Sequence, residues 1–167
     1  MNIVLIGVMG SGKTSVGKEL SNIVGYGFLD MDKYIEEKNG MTITEMFEVN
    51  EAFFREKEER AAYIIGGYDR TIIATGGGVV KNPNIMESLC KNAIIIYIKR
   101  DIASILETSN TSIRPVIAND PQKLYGIFEE RKPLYERYGQ ICVENSSTVN
   151  DCAKAVVRKL EERGIVL

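Results

Sequence analysis

The chain has 167 residues, of which 44% are hydrophobic and 26% charged, with a formal net charge of −2. That length suits one domain with its own core, and the acidic balance argues against a nucleic-acid binder, which needs a basic face. No apolar run approaches the roughly 20 residues that span a bilayer. The chain enters its first strand without a charged leader or cleavage site, so a cytoplasmic protein is expected. Cys90, Cys142 and Cys152 are odd in number and widely spaced, which suits reduced thiols in a reducing compartment, each read as a small core residue. There is no histidine, so the usual general base and the commonest metal ligand are both missing. Proton transfer must rest on carboxylates, lysine or solvent, and a closed zinc site is disfavoured.

Apolar β-rich runs alternate with helical patterns from end to end. Residues 3–6 read as a strand and 13–24 as a helix. A second strand is centred on Phe28 and Leu29, followed by a helix at 33–37. Thr42 and Glu45 fit a capping box that opens a further short helix. A helix at 51–65 leads to a strand at 71–75, a helix at 84–89, a strand at 93–98 and a helix at 102–106. Residues 108–119 are polar and irregular and read as a mobile loop. Asp120 and Pro121 supply a cap and a first-turn proline for a long helix to about residue 138. A strand at 141–143 and a helix at 149–163 complete the chain. The run Ala93-Ile-Ile-Ile-Tyr-Ile98 is continuously apolar, as in strands covered on both faces, which predicts a parallel sheet between helical layers.

The motifs fall between these elements. Gly7-Val-Met-Gly-Ser-Gly12-Lys13-Thr14 matches the phosphate-binding loop in full, in its required place after a buried strand and before a helix. Glycines let backbone N–H groups turn inward around phosphate oxygens, and the following helix directs its positive end there. Lys13 reaches the outer phosphates and the Thr14 hydroxyl binds Mg²⁺ in such loops. Asp30 and Asp32 lie at the exit of the second strand, two apart and so on one side if extended. Arg55 and Glu58 share a helix face at i, i+3. Gly76, Gly77 and Gly78 end the third strand, more glycine than a turn requires. Arg114-Pro115 falls in the irregular loop, and Arg131-Lys-Pro-Leu-Tyr135 in the long helix.

Taken in order, DxD at 30–32, FRxxE at 54–58, GGG at 76–78, the RP pair at 114–115 and RxPLY at 131–135 resemble the shikimate kinase family, in the nucleoside-monophosphate-kinase-like branch of P-loop enzymes. The resemblance runs from Asn2 to about Arg163. It implies a three-layer α/β/α P-loop NTPase domain over 1–167, with a five-stranded parallel sheet in the order 2-3-1-4-5. The substrate-binding region falls at about 31–60 and a mobile lid at about 108–120. It further implies transfer of the γ-phosphate of ATP to the 3-hydroxyl of shikimate with one Mg²⁺, in chorismate and aromatic amino-acid biosynthesis.

Residue by residue, the resemblance implies that Gly10, Ser11, Gly12, Lys13, Thr14, Ser15 and Arg114 hold the nucleotide. Thr14 and Asp30 serve the metal, and Lys13, Asp32 and Arg114 serve catalysis. Asp32, Arg55, Gly77, Gly78 and Arg131 bind the acceptor, with Glu58 orienting Arg55. A carboxylate-bearing polyol suits guanidinium at one end and an acceptor at the other. Phosphoryl transfer asks for positioning and charge neutralisation rather than covalent help.

Departures from the pattern are local. Asn50-Glu51 stands where relatives have Gly-Glu, Glu107 occupies the place of an adenine-stacking arginine, and Asn145-Ser-Ser147 lacks another. Arg114 is the one basic residue of the expected lid. A monomer is expected, with no nucleic-acid or membrane partner. Two other readings stay open: a gluconate-type small-molecule kinase on the same fold, and a nucleotide-dependent binding module without catalysis.

Overall fold

The computed structural model describes residues 1–108 and 120–166. Arg114 and most of the expected lid, residues 109–119, lie outside the described residues. Five strands pair in parallel in the order β2-β3-β1-β4-β5, the order the resemblance implies. They are β1 (Asn2–Ile6), β2 (Gly27–Asp30), β3 (Thr71–Ala74), β4 (Ala93–Lys99) and β5 (Ile141–Glu144). Parallel neighbours cannot be joined by tight hairpins, so the intervening segments form helical crossovers. These are α1 (Lys13–Val24), α2 (Met31–Asn39), α3 (Ile43–Val49), α4 (Glu51–Gly66), α5 (Pro83–Cys90), α6 (Ile102–Thr108), α7 (Pro121–Tyr138) and α8 (Val149–Glu162). A single 3₁₀ turn, Val79–Lys81, follows the glycine run.

The central strand shows why the sheet has three layers. Every residue of β1 is buried, and its side chains divide by the two-residue period of a strand. Ile3 and Leu5 pack with Val16, Leu20, Val156 and Leu160 of α1 and α8. Val4 and Ile6 pack on the other face with Ile35, Ile65, Met86 and Tyr135 of α2, α4, α5 and α7. Each such aliphatic side chain contributes roughly 1.5–3 kcal/mol when fully buried. The helices therefore bind the sheet far more firmly than propensity alone would hold them. At the sheet edge β5 alternates, with Ile141 and Val143 buried and Cys142 and Glu144 exposed.

Local chemistry fixes the helix ends. The capping box at Thr42 and Glu45 is formed in both directions, and Asn50 caps α4 by accepting from Phe53 N. Asp120 caps α7 just before Pro121. Pro133 lies inside α7, where a proline removes a backbone donor and costs roughly 3 kcal/mol against alanine.

Two expectations are corrected. Helix α2 begins at Met31, because Asp30 accepts from Lys33 N and caps it. Asp30 and Asp32 are therefore not alternate positions of an extended strand but a cap and a first-turn residue, facing different neighbours. Of the cysteines only Cys152 is in the core, since Cys90 and Cys142 are exposed at a helix end and an edge strand. Among the described residues no helix is long and apolar enough to cross a membrane.

Candidate active site

The strands deliver their exits to one edge of the sheet, the side where ligands bind in open α/β folds. From β1 the chain runs into the glycine loop, from β2 into Asp30, from β3 into Gly76–Gly78 and from β4 into Arg100.

The loop is built for glycine where it turns. Gly7 and Gly12 have φ of +149° and +96°, regions that L side chains seldom enter. A Cβ on Gly7 would also collide with the Ile98 carbonyl, and one on Gly12 with the Asn145 amide. Asn145 Nδ2 donates to Ser11 O at 2.8 Å, so the start of the β5–α8 connection braces the loop from behind. Ser11 is wholly buried, and Lys13 is 7% exposed. The Lys13 ammonium donates to Gly7 O at 2.8 Å and Val8 O at 3.0 Å, inside the cradle where phosphate oxygens belong. Burial lowers its pKa to about 8, while Asp32 and Asp30 pull the other way. Ser15 is exposed on the first turn of α1.

Beside the loop, Thr14 Oγ1 donates to Asp30 Oδ2 at 2.8 Å. A hydroxyl and a carboxylate in contact are hard oxygen donors of the kind Mg²⁺ takes, with phosphate and water oxygens completing the shell. Among the described residues no group of three or more His, Cys, Asp or Glu could hold a metal by itself.

Across from this pair, the glycines after β3 form a bare shelf. A Cβ on Gly76 would lie 2.9 Å from Asp32 Oδ1, and one on Gly78 would lie 3.4 Å from Arg55 Nη1. At Gly77 it would lie 3.2 Å from Met9 N of the phosphate loop and 3.6 Å from Arg131 Nη1. One carboxylate, two guanidinium groups and the phosphate loop thus converge on three residues without side chains.

The Arg55 side of the shelf is tied down by its neighbours. Glu58 is 2% exposed and accepts from Arg55 Nη1 at 2.6 Å. Arg55 also reaches Glu51 at 3.3 Å, and its guanidinium lies 5.1 Å from the centre of the Phe54 ring. Burial pushes the Glu58 carboxyl upward, against the pull of Arg55. Burial also pushes Asp32 up, to about 6, with Asp30 and Glu58 adding repulsion and Lys13 opposing them. Asp32 is then ionised at neutral pH yet basic enough to take a hydroxyl proton. Arg131 Nε is buried without a hydrogen-bond partner among the described residues. A buried guanidinium donor left open calls for an acceptor that the described residues do not supply.

Tyr135, one turn beyond Arg131 on α7, is fully buried and donates to Gly77 O at 2.6 Å. Burial raises its pKa to about 12, so it stays a donor. Tyr135 belongs to the RxPLY motif, and its place four residues from Arg131 on the same helix face is the signal in the sequence for its part in the site. Arg100 was missed altogether, although a charged residue at a buried strand's exit marks the ligand edge. The structure brings together Lys13, Thr14, Asp30, Asp32, Arg55, Glu58, Gly77, Gly78 and Arg131, as the sequence suggested.

The sequence model of the family described as "SKI: Shikimate kinase" matches residues 9–161. A curated shikimate kinase from Clostridium botulinum is 37% identical over 154 residues, covering 92% of this chain and 93% of the relative. One from Caldanaerobacter subterraneus subsp. tengcongensis is 40% identical over 162 residues, 94% of each. The solved structure of shikimate kinase from Acinetobacter baumannii in complex with shikimate superposes with a TM-score of 0.92 at 30% identity, covering 99% of this chain and 95% of that one. With the phosphate loop, the Thr14–Asp30 pair and the charged glycine shelf all in place, the chain belongs to the shikimate kinase family.

Proposed function

We propose that the protein transfers the γ-phosphoryl group of ATP to the 3-hydroxyl of shikimate, giving shikimate 3-phosphate and ADP, in chorismate and aromatic amino-acid biosynthesis. The observation that carries this reading is the convergence of Asp32, Arg55 and Arg131 on Gly76–Gly78, directly against the phosphate loop. Arg55 and Arg131 bind the acceptor's carboxylate, Arg131 through its open Nε among other donors. Asp32 takes up the opposite, hydroxyl-bearing side and receives the proton. Gly77 and Gly78 let the ring lie against bare backbone.

Backbone of Gly10, Ser11 and Gly12, with Lys13 and the first turn of α1 at Thr14 and Ser15, holds the nucleotide's phosphates. Thr14 and Asp30 hold Mg²⁺, which supplies charge neutralisation on the phosphates when bound. Arg114, outside the described residues, adds positive charge at the transferring group. We read the protein as a cytoplasmic monomer that takes small molecules only, one domain with its substrate region at about 31–60 and its lid at about 108–120.

A coupled assay of ADP release with ATP, Mg²⁺ and a panel of acceptors tests this function. Release that depends on shikimate is the expected result. Release with gluconate instead, or nucleotide binding without release for any acceptor, would overturn it in favour of the other two readings.

A further inference from the structure

Arg100 is the first residue beyond β4 and stands at the ligand edge of the sheet, half-buried. Its Nη1 donates to Gly10 O at 3.2 Å, and its Nη2 donates to Thr108 Oγ1 at 2.9 Å. Thr108 in turn donates to Ser104 O at 2.8 Å, and Ser104 N donates to Asp101 Oδ2 at 3.0 Å at the start of α6. One guanidinium therefore ties the outer turn of the phosphate loop to the last residue of α6, whose hydroxyl in turn bonds back along the helix. The Gly10–Ser11 peptide is held at both poles, its carbonyl by Arg100 and its N–H by Val8 O at 3.1 Å. Without Arg100 the peptide keeps only the Val8 contact, and its carbonyl pole, next to a glycine, is held less firmly in the arrangement that phosphate binding requires. Among the described residues no carboxylate pairs with Arg100. Its positive charge is left to the loop.

We infer that Arg100 is a positioning residue for the nucleotide. It fixes the outer turn of the phosphate loop against α6 and adds an uncompensated cation beside the phosphates, while leaving acceptor binding alone. The inference rests on the reading that this loop binds ATP. A lysine could supply the charge but not the fork, since its ammonium is a point donor on a flexible stem.

The test measures ADP binding by calorimetry and steady-state KM for ATP and for shikimate in Arg100→Met, Arg100→Lys, Thr108→Val and the Arg100→Met/Thr108→Val double variant, with melting temperatures alongside. For Arg100→Met the expected result is a roughly tenfold rise in both the ADP Kd and the ATP KM, with the shikimate KM within about twofold of wild type. Thr108→Val should give a smaller rise, and the double variant should be no worse than Arg100→Met, because both remove one connection. Arg100→Lys should fall between Arg100→Met and wild type, and it carries the test should the methionine variant fail to fold. An unchanged ATP KM, an equal rise in both KM values, or fully additive single effects would overturn the inference. Wild-type protein that binds no ADP would instead refute the loop's reading itself.

Discussion

Arg55 Nη1 and Glu58 Oε2 meet at 2.6 Å with the carboxylate 2% exposed and the arginine 28% exposed. On the proposed reading the buried partner is the support and the more exposed one binds the acceptor. Glu58→Gln should leave Arg55 without its charged partner there, with the Glu51 contact and the Phe54 ring remaining. On the proposed reading the shikimate KM rises roughly tenfold while the ATP KM stays put, and stability falls by about 1–3 kcal/mol. Steady-state kinetics with a denaturant titration check both. An equal rise in the two KM values would remove Glu58 from the acceptor side.

Asp32 sets function against stability. Its folded pKa is raised by burial to about 6 from an ordinary 3.8, so the folded state holds the proton more tightly than the unfolded chain. That contribution to stability is complete below pH about 4 and is lost as pH rises through about 6. Asp32→Asn mimics the protonated form. At about 1.4 kcal/mol per pH unit it should stabilise the fold at pH 8 by at most about 3 kcal/mol, and hardly at all at pH 4. Its kcat should fall by about 10²–10⁴-fold. Thermal melts at the two pH values decide it; a variant less stable than wild type at pH 8 would contradict the account.

The pH–rate profile follows from the same site. On the proposed reading Asp32 works ionised and Lys13 protonated, so kcat/KM should rise with an apparent pKa near 6 and decline with one near 8. The two groups interact, and the limbs belong to the pair rather than to either residue. Initial rates at fixed ionic strength from pH 5 to 9.5 would show the bell. A profile flat between pH 5 and 7 would exclude Asp32 as the base.

Tyr135 offers the cleanest single-atom test of the shelf. Its hydroxyl fixes the Gly77 carbonyl, and because a peptide's C=O and N–H point in opposite directions, it also fixes the Gly78 N–H. Tyr135→Phe keeps the ring against Tyr97, whose centre is 5.3 Å away, and deletes the hydroxyl with its hydrogen bond to Gly77. The shikimate KM should rise about fivefold, matching a loss near 1 kcal/mol, with the ATP KM unchanged. An effect on ATP alone would mean that the shelf serves the nucleotide.

Much of this was legible in the sequence, for physical reasons. The phosphate loop reads directly because glycine is required where φ is positive or a Cβ would collide, as at Gly7 and Gly12. The doubly covered strands read from their unbroken apolar runs. Pro133, in the middle of α7, breaks a local rule between Arg131 and Tyr135, and such breaks gather at functional sites. The Asp30–Asp32 geometry was misjudged because one cap hydrogen bond starts α2 two residues earlier than apolar periodicity suggests. The roles of Tyr135, Asn145 and Arg100 stayed hidden because each acts on a backbone carbonyl far away in sequence, 58, 134 and 90 residues off. Contacts of that kind come from topology, not from spacing.

The central claim is that Arg55 and Arg131 grip the acceptor's carboxylate above the glycine shelf. It is tested most directly by comparing kcat/KM for shikimate with that for its methyl ester, which keeps every hydroxyl, removes the charge and adds one methyl group. The account predicts a loss of about a hundredfold or more with the ester, since two guanidinium groups are then left without their anion. Equal values for acid and ester would contradict it.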